Sequence, residues 1–210
     1  MLTLKGNLQA LSIISMLEGA SSTVVRVVLQ PLTLSLGAPM SFIGLLEAIG
    51  GRRGLVYSLI QPLGGWLSDR RGRKPITVWM SLLSLLAFTL YLTASHLHDP
   101  AWLVPAATIL AVSAMGVPAV DSMVAESVGL HERSVAYSLI TLFTMVPGIV
   151  LSTAVGLVAD QFGYEVVFLV GVLVQALKLC LAICLLQETL KRPMEVSWPD
   201  LVRFIKSFLV

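Results

Sequence analysis

Hydrophobic positions along this chain come in long runs rather than in alternation. Six runs are long enough to cross a bilayer, which takes about 20 predominantly apolar residues in helical form. They cover residues 8–34, 40–67, 76–95, 101–125, 134–159 and 164–186. Turn-forming and polar residues gather between them, at Gly37-Ala38-Pro39, Gly72-Arg73-Lys74-Pro75, His98-Asp99-Pro100 and Gln161-Phe162-Gly163. Connections this short make successive spans antiparallel. The pattern therefore predicts an all-α membrane protein, with a six-helix transmembrane bundle over residues 1–190. The first apolar run extends past Arg26, too far for the core of a cleaved secretory signal, so it reads as a retained span.

After Pro193 the pattern changes. Ser197-Trp198-Pro199-Asp200 has the form of a helix start. Trp198, Leu201, Val202, Ile205 and Leu209 then share one face, with Arg203 and Lys206 on the other. Residues 191–210 thus predict the start of a cytoplasmic central linker carrying an amphipathic helix on the membrane surface. The run stops without a closing cap, and the expectation is that the natural chain continues.

Composition narrows the class. Hydrophobic residues make up 56% of the 210 and charged residues 12%, with a mean hydropathy of +0.88. A soluble domain carries roughly 25% charged residues, so lipid must cover much of this surface. The net charge of +2 is too small to call for a nucleic-acid partner. Cys180 and Cys184 lie one helical turn apart, poor geometry for a disulfide, and are expected to be buried thiols. His96 and His98 sit in a connection with no third ligand at metal spacing, so no metal or cofactor is expected. No histidine falls inside a span, which argues against an intramembrane serine protease and against an enzyme generally.

The cations set the orientation. Arg70, Arg71, Arg73 and Lys74 lie between the second and third spans, Arg133 between the fourth and fifth, Lys191 and Arg192 after the sixth, and Lys5 before the first. The connections around Gly37, His98 and Gln161 have no Lys or Arg. The positive-inside rule then puts both ends of this segment in the cytoplasm, in a multi-pass protein expected in the plasma membrane.

The most specific feature is Gly64-Gly65-Trp66-Leu67-Ser68-Asp69-Arg70-Arg71-Gly72-Arg73-Lys74-Pro75. Gly65 suits a close helix approach. Asp69 can accept from amides at a neighbouring helix N-terminus, Gly72 permits a tight turn, and the cations anchor the loop. Through Gly65, Leu67, Asp69, Arg70, Gly72, Arg73 and Lys74 this segment resembles the signature loop of the major facilitator superfamily, at the place where that family keeps it. Gly156, Asp160 and Gly163 repeat the spacing of Gly65, Asp69 and Gly72 at the end of the fifth span, without the cations. Pro147-Gly148 with Gly156 is loosely like the fifth helix of the family's antiporters, and Gln187-Glu188-Thr189-Leu190 resembles the end of its sixth helix. The position of the family's fourth-helix arginine, aligned on Gly116, falls on Val112, a departure that weighs against proton-driven export.

The resemblance implies spans 1–3 and 4–6 as a 3+3 inverted repeat, forming the amino-terminal half of a twelve-helix fold. It implies alternating access, with the loop latching the cytoplasmic side. The partners expected are a small-molecule substrate, protons, the lipid bilayer and a second six-helix half, in the same chain or from a homodimer mate. Proton-coupled efflux by a secondary active transporter is the leading expectation. Uptake of a sugar or organic anion is one alternative. A half-size protein acting as a homodimer or assembly partner, without transport of its own, is the other.

Charges inside spans are costly and usually face a cavity or each other. The substrate or proton candidates are Glu18, Arg26, Arg52, Arg53, Asp121 and Lys178; Glu47 is a further in-span acid. Glu18 and Arg26 fall within about a quarter turn of one face. Glu18 is read either as a proton or cation site or as a fixed partner of Arg26, Arg52 or Lys178. Arg52 and Arg53 cannot both face one cavity, and the glycines beside them, Gly50, Gly51 and Gly54, suggest a bend. Asp121 is either a cavity acid or a partner for these arginines. Glu126, near a cytoplasmic end, is expected to be solvated.

Overall fold

A computed structural model of the chain describes residues 6–50 and 54–190. Among these the ordered elements are all helical. They are α1 (Asn7–Ser35), α2 (Met40–Gly50), α3 (Leu55–Arg71), α4 (Arg73–Leu97), α5 (Leu103–Ser113), α6 (Gly116–Glu126), α7 (Arg133–Phe162) and α8 (Tyr164–Leu185). Short 3-10 turns at Pro100–Trp102 and Leu130–Glu132 lead into α5 and α7. Among the described residues, five helical segments are long and apolar enough to cross a membrane: α1, α4, the α5–α6 segment, α7 and α8. The candidate residues Arg52 and Arg53, Lys5 and the amphipathic tail after 190 lie outside the described residues.

Two of the expected spans are divided. In the second, Gly54 is extended (φ −69°, ψ 157°), so the segment is carried by α2 and α3 rather than by one helix. In the fourth, Pro118 has no N–H to give the carbonyl four residues back, that of Ala114. The chain answers with a turn of shorter-range bonds: Ala114 N–H to Ala111 O at 3.1 Å, Met115 N–H to Val112 O at 3.1 Å and Val117 N–H to Ala114 O at 3.0 Å. Pro31, Pro62 and Pro147 sit inside helices that continue through them.

Packing follows a regular scheme. α1 packs on α7 and α8, α4 on α5, α6 and α8, α3 on α6, and α2 on α5. Exchanging the first three spans for the last three returns the same set of contacts, with α4 on α8 mapping onto itself. The core has two clusters. One is built on Val28, Leu32, Phe88, Tyr91, Ala106 and Phe168, with Tyr91 stacked on Phe168 at 5.5 Å between centroids. The other joins Leu11, Ile14, Met123, Ala136 and Ala182.

Small residues let the helices close. A methyl at Gly19 would sit 2.0 Å from the Thr144 carbonyl oxygen, and one at Gly64 would sit 2.2 Å from that of Met115. The close approach expected at Gly65 is therefore at its neighbour, since a methyl at Gly65 would only touch Pro118 at 3.7 Å. Large apolar side chains remain exposed along the outside, among them Leu59, Val150 and Leu173. In water such a surface would be a liability; in lipid it is the ordinary covering. Cys180 and Cys184 lie on this outer side of α8, exposed rather than buried as their sequence context suggested.

The two ends of the bundle are identifiable. At one, the Asn7 side-chain amide donates to the Gln187 carbonyl at 3.2 Å and accepts from the Gln187 N–H at 3.0 Å. The charged loop before α4 and the ends of α6 and α8 meet at the same end. At the other end, His96 approaches Glu165 at 3.5 Å. Among the described residues, the Lys and Arg side chains of the connections, Arg70, Arg71, Arg73, Lys74 and Arg133, therefore lie at one end.

Candidate functional site

Two polar sites stand out in this bundle, one at the charged end and one in its interior.

The charged end is organised by the turn between α3 and α4. Gly72 takes φ 101° and ψ 150°, a conformation a side chain rarely adopts, and its N–H still bonds the Ser68 carbonyl at 3.1 Å. One residue thus ends one helix and starts the next, which brings Asp69 and Arg73 to 2.9 Å across the turn. Arg73 is nearly enclosed. Its Nε donates to both carboxylate oxygens of Glu126, at 3.0 and 2.9 Å, and its Nη2 lies 2.8 Å from Glu126 Oε1. Glu126 is exposed, as expected near this end of the bundle, and is also held by this guanidinium and by the Thr189 hydroxyl at 2.5 Å.

The first amides of α4, those of Arg73 and Lys74, donate to Glu188 at 3.1 Å each. Asp69 was the residue expected to accept such amides. Glu188 takes that task because its side chain arrives from beyond α8 directly over the free N–H groups. The amides of Thr189 and Leu190 also donate to it, at 2.9 Å each. Burial pushes the Glu188 carboxyl up, but these four amides together outweigh that and hold it below its ordinary value. Lys74 donates to the Ile183 carbonyl at 2.9 Å, and Arg70 lies over the Trp66 ring at 5.4 Å. The Gly65 carbonyl accepts the Ser68 hydroxyl at 2.8 Å, and Leu67 is a half-buried apolar residue of α3.

The interior site is a cavity of about 850 Å3 bounded by α1, α4, α5, α6, α7 and α8, with Gly50 of α2 and Tyr57 of α3. Four of the expected candidates line it: Glu18, Arg26, Asp121 and Lys178. Lys178 Nζ lies 2.7 Å from Glu18 Oε2. The two partners are unequally enclosed, with the lysine side chain 5% exposed and the glutamate 46%. This settles which of the partners weighed for Glu18 is met within the described residues. Arg26 and Asp121 line the cavity without forming an ion pair among the described residues. The Arg26 guanidinium lies beside Gly148, where a methyl would come within 3.2 Å of it. Glu47 is exposed and does not reach the cavity.

Sequence reasoning missed one cavity residue. Gln175 is 1% exposed, and its Nε2 donates to Ser21 Oγ at 3.0 Å while its Oε1 has no hydrogen-bond partner. The signal was present: a glutamine three residues before Lys178, in a helix otherwise almost wholly apolar, falls on the same face as the lysine.

The chain matches the family model of the Major Facilitator Superfamily over residues 11–203. It is 32% identical over 152 residues to hippocampus abundant transcript-like protein 1 of Homo sapiens, which takes in 71% of this chain and 29% of that protein. It is 30% identical over 156 residues to hippocampus abundant transcript 1 protein of Mus musculus, taking in 71% of this chain and 30% of that one. In fold it is similar to the crystal structure of the human organic anion transporter MFSD10 (TETRAN), with a TM-score of 0.74 and 18% identity over 93% of this chain and 52% of that one. The chain thus spans about three-tenths of the length of the curated relatives it matches and about half of the solved transporter.

Proposed function

Because the chain belongs to the major facilitator superfamily, we propose that it forms one six-helix half of a secondary active transporter that moves a small solute by alternating access. The observation that carries this reading is the interior cavity, large enough for a small metabolite and holding an ion pair between α1 and α8. A membrane bundle has no structural need for such a void, and charges kept in it are a functional feature by default.

Spans 1–3 and 4–6 act as inverted repeats in this reading. The support is the packing scheme, together with the equivalence of the turns at Gly72 and Gly163. The second six-helix half is supplied by the same polypeptide or by a second copy, and it closes the cavity from the other side. The cation-rich end faces the cytoplasm of a plasma-membrane protein, by the positive-inside rule. There the cluster of Asp69, Arg73, Glu126 and Glu188 latches the ends of α3, α4, α6 and α8 together. Opening the cytoplasmic side requires that these contacts yield.

Coupling is to protons, in the direction of efflux. Glu18 is the group that takes the proton, since its carboxylate is the accessible member of the pair and its neutralisation leaves Lys178 without its counter-ion. The efflux direction rests on the likeness of Pro147-Gly148 and Gly156 to the fifth helix of antiporters. A second reading, uptake of an organic anion, is favoured by Arg26, a cavity cation with no acid against it among the described residues, and by the solved neighbour's description as an organic anion transporter.

Proteoliposomes containing the protein, expressed from its whole reading frame and loaded with a pH-sensitive dye, test the proposal. A solute that is transported should move protons in the opposite direction, and Glu18→Gln should uncouple that movement. Solute flux that leaves the internal pH unchanged would remove the proton-coupled reading. Stimulation by an outwardly directed anion gradient would favour the second.

A further inference from the structure

Beside its cations Arg26 and Lys178, the cavity offers a set of neutral acceptors. Four of its hydroxyls spend their hydrogens on their own helices: Thr23 on the Gly19 carbonyl at 2.8 Å, Ser81 on Thr77 at 2.8 Å, Ser84 on Met80 at 3.1 Å and Thr144 on Ile140 at 2.9 Å. Such back-bonding leaves each oxygen with lone pairs to offer. Gln175 adds a stronger acceptor. Its amide is pinned by Ser21, whose own hydrogen goes to the Leu17 carbonyl at 2.7 Å. The pinning fixes which way round the amide lies and leaves Oε1 enclosed and unpaired. A buried acceptor without a donor is costly, and native structures keep few of them.

We propose that Gln175 is a specificity-determining residue of the solute site, and that the solute presents a neutral hydroxyl to its Oε1. This rests on reading the cavity as a solute site. Gln175 lines the cavity, but its Oε1 is closed to water in this conformation, so a hydroxyl, the smallest donor group, is the one that reaches it with the least displacement of the side chains around it. A hydroxyl is slim and carries both functions needed: it donates to Oε1 and accepts from Lys178, one turn along the same face of α8. The lysine ammonium has three donors, of which Glu18 takes one. A primary ammonium would satisfy Oε1 equally well but would face Lys178, whose charge Glu18 already balances, so a second cation meets no net negative charge there. The apolar remainder of the wall, Ile14, Met80, Phe88 and Val117 among it, suits a compact alicyclic body such as a polyol ring.

The test uses three probes of one shape: cyclohexane-1,4-diol, its dimethyl ether and 1,4-diaminocyclohexane. Binding to the whole protein in nanodiscs is read by saturation-transfer NMR titration. The diol should bind about tenfold tighter than the ether, the expected return for satisfying one buried acceptor, and tighter than the diamine. Gln175→Met should erase the preference over the ether. Gln175→Glu, which keeps an acceptor, should retain a donor preference and shift it towards the diamine. Ser21→Ala should weaken the preference without abolishing it. Equal binding of diol and ether, no binding by any probe, or an unchanged preference in Gln175→Met that elutes as wild type on size exclusion would overturn the proposal. A diamine that binds best would overturn the neutral-hydroxyl assignment. These readouts are equilibrium binding, so a failure of transport in proteoliposomes would leave them intact.

Discussion

Gly72 and Gly163 join their helices in the same way. Gly72 has φ 101° and ψ 150°, Gly163 has φ 83° and ψ 170°, and each bonds its N–H to the carbonyl four residues back, at 3.1 and 3.0 Å. One turn ends the second span and the other the fifth. Their surroundings differ. A methyl on Gly72 would meet the Glu188 carboxylate at 2.6 Å, whereas Gly163 has open space around it. Gly163→Ala should therefore cost only the backbone strain of an extended conformation at positive φ, which is essentially confined to glycine, about 1–3 kcal/mol, and Gly72→Ala should cost more because it also displaces Glu188 from the α4 amides. Thermal melts of the purified variants in one detergent check the order. Equal losses would show that Glu188 moves aside freely.

Two adjacent glycines give a sharper contrast. Gly64→Ala places a methyl against the Met115 backbone, where α3 meets the turn between α5 and α6. Backbone cannot step aside as a side chain can, so a loss of about 1–3 kcal/mol is expected, the usual range for overpacking. Gly65→Ala should be close to neutral. The melting temperature should fall in the first variant only. The reverse result would return the close approach to Gly65, the glycine of the loop motif.

That reversal illustrates where the sequence was legible and where it was not. Hydropathy and turn residues located six apolar segments, because each depends on local composition. The loop motif and its echo at Gly156, Asp160 and Gly163 were visible because they depend on spacing. The glycines around Gly54 pointed to the bend in the second span. The break at Ala114-Met115 was not resolved, since Pro118 divides its span while Pro62 and Pro147 do not, and packing decides between these outcomes. The cavity-lining of Glu18, Arg26, Asp121 and Lys178 was foreseeable from the cost of in-span charge. Which acid meets which cation was not, because Glu18 and Lys178 are 160 residues apart in sequence. Glu188 and Glu126 owe their roles to the same kind of long-range meeting, and Gln175 to an unspent acceptor that only atomic positions reveal.

Acid should weaken the charged end in a defined direction. The Glu188 carboxyl is held below its ordinary value of 4.5. A group whose folded pKa is depressed contributes stability above its unfolded pKa and loses it as pH falls through the folded one. The contribution should thus be full at neutral pH and disappear below pH 4.5. Glu188→Gln should lower the melting temperature slightly at pH 7, by the equivalent of about 1 kcal/mol at most given the solvent around the group. It should also flatten the fall in stability on the acid side. Melts across the acid range for both proteins are the check, and parallel curves would contradict the depressed value.

Asp69 tests the latch. Asp69→Asn removes the charge opposite Arg73 but leaves Arg73 its two-oxygen grip on Glu126. Insertion and folding should survive, while net transport is lost because the cytoplasmic side no longer closes on schedule. Surface abundance and flux measured on the same cells separate the two. Normal flux at normal abundance would defeat the latch assignment.

The inner ion pair should behave asymmetrically, because its partners are unequally enclosed. Glu18→Gln leaves a lysine that is 5% exposed without its counter-ion, and breaking a buried pair this way typically costs about 3–5 kcal/mol. The half-exposed side of the pair eases that figure towards its lower end. Lys178→Met leaves a glutamate that is 46% exposed and still reached from the cavity, so its cost should be smaller. Replacing both removes the unpaired charge altogether and should recover much of the loss in Glu18→Gln, since an apolar substitute often packs as well as the pair. Melting temperatures of the two single variants and the double variant form the cycle. A double variant as unstable as the sum of the singles would mean that the two side chains act independently, and that the 2.7 Å contact carries no coupling between α1 and α8.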